Sequence, residues 1–393
     1  MCDFLMASYK QLPVAFESGA GAWLTDQGGA RYLDAVSGIA VCGLGHAHPA
    51  LKQAISSQAG QLLHTSNLYR IPLQEQLAAR LVALAGMDRA FFCNSGAEAN
   101  EAAIKIARLH ARNKNVREPV IIVAEGSFHG RTLATLSATG NAKIQAGFEP
   151  LVPGFLQVPY NNTAAIGEAL VNSRDVVAVM LEPIQGEGGI IIPDEGYLGG
   201  VRQLCTAHGA LLILDEIQTG LCRTGRWFAC QHEGVSPDVM TLAKALGNGV
   251  PIGACLARGE AAGLIQPGSH GSTFGGNPLA SRAALAVLEV MEAQHLDKRA
   301  EQLGRSMLEG FQAGLGDVAG VVSVRGRGLM LGIQLDRDCG DLVNMALAER
   351  VLINVTADRV VRLLPPLIIS DDEAGQIVAT VCRIVRKFLQ GDS

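Results

Sequence analysis

The sequence predicts an α/β protein: a mostly parallel sheet covered by helices on both faces, joined to a smaller α+β part. Three observations predict it. Short apolar or β-branched runs alternate with helical patterns through the middle of the chain: RAFFCNS, PVIIVAEGS, DVVAVMLEP, GALLILDEI, PDVMTLAK and PIGACLA. From about residue 280 the pattern lengthens into amphipathic helices such as PLASRAALAVLEVMEAQHL, then returns to strands around GVVSVRGRGLMLGIQL and RVVRLLPPL. A length of 393 residues with 48% hydrophobic content is enough for about two domains with sizeable cores.

In chain order, the first sixty residues hold a turn signature, GAWLTDQGGARYLDAVS, in which QGG separates two half-apolar strands of a hairpin. The stretch HPALKQAISSQAGQL that follows reads as a helix. Residues 1–60 are expected to join the smaller domain or a partner subunit, residues 61–279 to form the large domain, and residues 280–393 the small α+β domain. After the first central strand, ANEAAIKIARLHARNK sets Ala99, Ala103, Ile106 and His110 near one helical stripe, with Lys105, Arg108 and Arg112 mostly elsewhere, the pattern of a surface-packed helix.

Charge and composition narrow the function classes. Thirty-two basic against 37 acidic residues give a formal charge of −5, which supplies no footprint for nucleic acid or an anionic membrane and favours small-molecule partners. The cysteines stand apart, the nearest pair being Cys222 and Cys230, so they form neither a CxxC redox pair nor a zinc-ligand cluster. No metal site is expected, and the thiols read as reduced core filling in a cytosol. No run offers about 18 consecutive apolar residues, and MCDFLMASYK has no targeting pattern. No GxGxxG opens a helix after a strand and no GxxxxGK occurs, which argues against a nucleotide-binding module.

In open α/β sheets ligands bind beyond the carboxyl ends of the strands, so the residues that follow each strand carry the chemistry. In CNSGAEANE, Ser95 is a helix cap, Glu98 completes a capping box, and Gly96 lets backbone approach a ligand; the N–H groups there suit a phosphate, although S-x-x-E also marks ordinary helix starts. In ALLILDEIQTG an apolar strand delivers Asp215 and Glu216 to opposite faces. A buried Asp215 needs a partner, a bound cation or protonated heterocycle; otherwise it caps the following turn or pairs with an arginine such as Arg223 or Arg226, and Gln218 three residues on can face the same ligand. In TLAKALGNGVPIG, Lys244 leaves a strand among apolar and glycine neighbours with no acidic residue nearby. A surface lysine would snorkel to water, whereas a partly desolvated amine has a lowered pKa and condenses with carbonyls. Phosphate site, aspartate and amine together match the three handles of pyridoxal phosphate.

Three further pieces add candidates. In AEGSFHGRTLATLSATG, Phe128 or His129 is placed to stack on a flat ring and Arg131 to grip a carboxylate. HGSTFGGNP carries Ser272 and Thr273 in a glycine loop, and LEPIQGEGG carries Glu182 and Glu187 after another strand.

In this order, SGIAVCGLGHAHP, NSGAEANEAAIK, FHGRT, LEPIQGEGG, LLILDEIQTGLCRTG, LAKALGNGVPIG, HGSTFGGNPLA and RGRGLMLGI resemble the class III, ornithine-type aminotransferases of the fold type I pyridoxal phosphate enzymes, nearly end to end. The resemblance implies a mostly parallel seven-stranded sheet in the large domain, pyridoxal 5'-phosphate as cofactor, and a cytoplasmic homodimer with active sites at the subunit interface. It makes Lys244 the lysine that holds the cofactor's aldehyde and Asp215 the partner of the ring nitrogen. Ser95, Gly96, Ala97 and Thr273 would hold the phosphate, Thr273 from the other subunit, with Phe128 stacked on the ring and Gln218 near its phenolic oxygen. Arg131 and Ser272 would meet the amine substrate, and Arg362 the carboxylate beside the reacting carbon of 2-oxoglutarate or glutamate. Glu187 would pair with Arg362 while an ω-amine donor is bound. Ile39 stands where ornithine-specific members have a tyrosine, which suits a donor with an uncharged, acylated α-nitrogen such as N-acetylornithine, an intermediate of arginine biosynthesis.

Overall fold

The computed structural model describes residues 4–391, so the outermost residues of the first and last expected segments lie outside it. Its centre is a seven-stranded sheet made of β1 (Arg89–Cys93), β2 (Val120–Ala124), β3 (Phe155–Val158), β4 (Val176–Leu181), β5 (Leu211–Asp215), β6 (Val239–Leu242) and β7 (Gly253–Ala257). The strand order is β1-β7-β6-β5-β4-β2-β3. Strands β4, β5 and β6 are buried along their whole length, as near-continuous apolar runs in a twice-covered sheet should be.

Six of these strands are the six runs read from the sequence; β3 is the addition. Leu156 and Gln157 in β3 are exposed because the strand pairs on one side only, so its apolar signal is broken. Strand β7 runs antiparallel to both neighbours, pairing Ala254 with Leu242 and Gly253 with Cys93. The connection 243–252 explains this: it holds a 3₁₀ turn and no crossover helix, and a parallel return needs such a crossover. Because β7 is reversed against both, β1 and β6 point the same way and end at one edge.

Helix α1 (Gly96–Asn113) leaves β1 and buries Ala99, Ala103, Ile106 and His110 against the sheet. The N-terminal strands Phe16–Ala20, Trp23–Asp26 and Arg31–Asp34 form a second sheet with Val351–Leu352, which pairs in parallel with Arg31–Asp34. A third sheet joins Val321–Arg327, Met330–Leu335, Val360–Leu363 and Asn354–Thr356. The helix Leu296–Leu315 packs on Val321–Arg327 and on the last helix, Asp371–Gln390.

Arg223 ties these parts together. It is 1% exposed, and its Nη1 donates to Leu329 O at 3.0 Å and Pro365 O at 2.6 Å, the carbonyls that flank the third sheet. Burial pushes its pKa down to about 10. Gly304 is equally constrained, because a Cβ there would lie 2.0 Å from Gly328 O. Gly304→Ala is therefore expected to destabilise the fold by about 3 kcal/mol, read as a lower urea midpoint; an unchanged midpoint would refute that contact.

Candidate active site

The carboxyl edge of β1, β5 and β6 opens into a cavity of about 390 Å³. Ser95, Gly96, Ala97, Phe128, Arg131, Glu187, Asp215, Gln218 and Lys244 all line it, from segments scattered across the large sheet. Its position follows the rule for open α/β sheets.

Lys244 begins the 3₁₀ turn that follows β6 and adopts a φ of +47°, a conformation L-residues avoid. The turn places Lys244 in the lining of the cavity. Burial pushes its pKa down to about 8, and the nearby Arg362 charge acts in the same direction. In cofactor-free protein, capture of an aldehyde by Lys244 should accelerate as pH rises from about 7 to about 9, as neutral amine replaces ammonium. A capture rate flat across that window would contradict the lowered pKa.

Asp215 ends β5 and is 4% exposed. Neither Arg223 nor Arg226 pairs with it, since Arg226 reaches Glu301 at 3.3 Å and Arg223 goes to carbonyls. Its partner is His129, whose Nδ1 lies 2.8 Å from Asp215 Oδ2, and Asn100 Nδ2 donates to the same oxygen at 2.7 Å. Thr241 Oγ1 donates in turn to Asn100 Oδ1 at 2.7 Å. Burial alone would lower the His129 pKa, but the Asp215 carboxylate outweighs it and the net shift is upward. Asp215 Oδ1 accepts the Ile217 N–H at 3.1 Å. Glu216 points to the other face, taking the N–H groups of Ala229 and Cys230 at 3.0 and 2.8 Å.

At the start of α1, Ser95 Oγ accepts the Glu98 N–H at 3.2 Å, as a cap should. The reciprocal half of the expected box differs: Glu98 accepts from Asn94 N, one residue before the cap. Asn94 draws it there by offering a second donor, its Nδ2, at 3.3 Å. The Gly96 and Ala97 amides have no protein acceptor among the described residues and are available to a ligand. A Cβ on Gly96 would lie 2.7 Å from Ile217 Cδ1, so the glycine lets the helix start press against the loop after β5.

Arg131 is exposed at the mouth, its guanidinium 5.7 Å from the Phe128 ring centroid. Arg362 sits behind Glu187, 1% exposed, donating from Nη1 to Glu187 Oε1 at 2.5 Å. Its Nε and Nη2 both donate to Asn354 Oδ1, at 2.9 and 2.7 Å, and Asn354 is directly opposite Arg362 in the strand register. Thr356 Oγ1 holds the Glu187 carbonyl at 2.6 Å. Ser272 and Thr273 do not line the cavity of their own chain. Ser272 Oγ accepts from Asn94 Nδ2 at 3.2 Å, and Thr273 is on the exposed surface.

His129, Asn100, Asn354 and Thr356 escaped the sequence reading as site residues or were given another role. Asn100 carried one signal, a polar side chain on the buried side of a helix. Asn354 carried none until the strand register was known.

The site belongs to a pyridoxal-phosphate-dependent transaminase. Residues 4–385 match the aminotransferase class-III family, and the chain is a member of it. It is 55% identical over 386 residues to the acetylornithine aminotransferase of Nitrosomonas europaea, covering 98% of each chain. A Toxoplasma gondii ornithine aminotransferase with partial pyridoxal phosphate occupancy superimposes with a TM-score of 0.95 at 35% identity, over 99% of this chain and 93% of that one. The acetylornithine aminotransferase of Elizabethkingia anophelis gives 0.87 at 34% identity, over 98% and 96%.

The residues present fit that cofactor. Gln218 Oε1 is buried without a partner, free amides open α1, and Lys244 shares the cavity with a carboxylate whose second oxygen holds only a backbone N–H. Among the described residues no helix is long and apolar enough to cross a membrane.

Proposed function

We propose that the protein moves the δ-amino group of N2-acetyl-L-ornithine to 2-oxoglutarate, giving N-acetyl-L-glutamate 5-semialdehyde and L-glutamate in arginine biosynthesis. The observation that carries this reading is the Glu187–Arg362 pair beside the Lys244 amine. A site that must accept a chain with no carboxylate near its reacting carbon, and then a keto acid with one, needs a cation that can be covered and uncovered. Relatives named acetylornithine aminotransferase at 46–55% identity support the same choice of donor.

Pyridoxal phosphate supplies an electron-accepting ring that eases proton removal from the carbon bearing the amine. Lys244 would hold the cofactor's aldehyde, and its amine, when free, would move a proton at the substrate's δ-carbon. Asp215, fixed by His129 and Asn100, would keep the ring nitrogen protonated. Phe128 would cover the ring, Gln218 would face its phenolic oxygen, and the amides at Ser95, Gly96 and Ala97 would hold the phosphate. Arg131 binds the α-carboxylate of acetylornithine, with Ser272 nearby. Arg362 takes the carboxylate next to the keto group after Glu187 turns away.

The enzyme works as a cytoplasmic homodimer in which Thr273 completes the partner's phosphate site. Supporting this, Leu68 (86% exposed), Tyr69 (70%) and Phe274 (60%) leave an apolar surface around that threonine. The described residues of the segment 1–60 serve in the small domain or the dimer contact, and those of 280–393 form the small domain, beside a large domain of residues 61–279.

The test compares kcat/KM for acetylornithine, succinylornithine, ornithine, 4-aminobutyrate and succinyl-diaminopimelate with 2-oxoglutarate as acceptor. Acetylornithine should give the highest value. A preference for an unacylated amine, or turnover that needs no keto acid, would overturn the assignment.

A further inference from the structure

We infer that Glu182 is a positioning residue that ties together the two loops flanking the cavity, holding Phe128 and Glu187 in fixed relation; this rests on the transaminase reading above. Glu182 directly follows β4, is 6% exposed and lines the cavity. Among the described residues it makes no ion pair. Its two oxygens instead go to two different loops: Oε2 accepts the Phe128 N–H at 3.0 Å, and Oε1 accepts the Gly186 N–H at 3.1 Å. Phe128 lines the cavity and would cover the ring, and Gly186 immediately precedes Glu187, which covers Arg362.

The surroundings make this clamp rigid. The Tyr160 hydroxyl donates to the carbonyls of Glu182 and Pro183, each at 3.0 Å, and the Tyr160 ring meets that of Tyr197 edge-on with centroids 5.3 Å apart. A second, independent bond joins the loops where Gln185 Nε2 donates to Glu125 O at 2.8 Å. A buried carboxylate outside any ion pair is costly to retain: burial pushes its pKa up to about 7, against the pull of the His129 charge and of the two amides, which belong to the segments that carry the functional side chains. Only a group with two acceptor oxygens can serve both. Glutamine in its place has one oxygen and one NH₂, and the NH₂ would face a backbone N–H with no acceptor to offer it.

The two half-reactions depend on the clamp unequally. Acetylornithine requires Glu187 to lie on Arg362, whereas glutamate binds with Glu187 moved aside, so loosening residues 186–187 penalises the first more than the second. The experiment measures kcat/KM of each half-reaction separately, in single-turnover form, for the holoenzyme and for Glu182→Gln and Glu182→Asp. Glu182→Gln should lower kcat/KM for acetylornithine about tenfold and for glutamate by no more than about threefold. Glu182→Asp keeps the charge but is too short to reach both amides, so its ratio should shift in the same direction; it carries the test alone if the glutamine variant does not fold. Equal losses in both half-reactions, or no loss, overturn the role of Glu182. A wild-type enzyme inactive with both substrates would sink the transaminase reading and this inference with it.

Discussion

Lys244→Ala is expected to reduce turnover by at least about ten-thousandfold, because no other amine in the cavity can hold the cofactor's aldehyde and move the substrate proton. The loss should be chemical, not structural. Lys244 sits at φ +47° in a turn, and alanine at that position inherits the same backbone cost. Removing a buried amine that burial already pushes down to about 8 takes away a desolvation penalty, so thermal stability should hold or rise. Borohydride reduction of the loaded wild type should leave a pyridoxyl group on the peptide containing residue 244 and none on the variant. Turnover by the variant near the wild-type rate, or a label on another lysine, would refute the assignment.

The legible parts of this protein are those where local pattern and burial coincide. The apolar run before Asp215 and the one before Lys244 mark strands buried end to end, and a charge that follows such a run lies at a sheet edge by necessity. Strand β3 escaped because it pairs on one side only, and the reversal of β7 depends on a missing crossover helix that no periodicity reports. The partner of Asp215 was illegible for a different reason. His129 is 86 residues away in sequence and reads equally well as a stacking ring, so only the fold chooses between these roles. The turn at residues 37–40 is a further case: Ser37, Gly38, Ile39 and Ala40 all have positive φ, yet only one is a glycine. A local bond and a tertiary one hold it, the Ser37 N–H to Asp34 Oδ1 at 2.8 Å and the Ser37 hydroxyl to Leu364 O at 2.5 Å, and Val41 just beyond lines the cavity. Glu182, named only as one of two acidic residues after a strand, acquires its role from two amides that the sequence separates widely.

Asp215→Asn should lower kcat about a thousandfold while KM changes little, since it removes a charge that acts on the cofactor ring and not on substrate binding. The amide is nearly isosteric, so the cavity keeps its shape. What it loses is the ability to hold a proton on the ring nitrogen and to accept at both oxygens: with its one oxygen toward His129 Nδ1 and Asn100 Nδ2, its NH₂ would face the Ile217 N–H. The variant also carries a pH signature. The folded pKa of His129 is raised above its ordinary 6.5, so its protonation contributes stability that is fully present below pH 6.5 and disappears as pH climbs through the raised value. Without the Asp215 carboxylate, burial, which disfavours the charged imidazole, is opposed only by the Glu182 charge, so the native variant binds fewer protons in acid than the native wild type. The stability gap between wild type and Asp215→Asn should therefore be wider at about pH 6 than at about pH 9, measured as urea midpoints at the two values. A gap independent of pH would separate His129 from Asp215 energetically, and a kcat within a few-fold of wild type would remove Asp215 from the chemistry altogether.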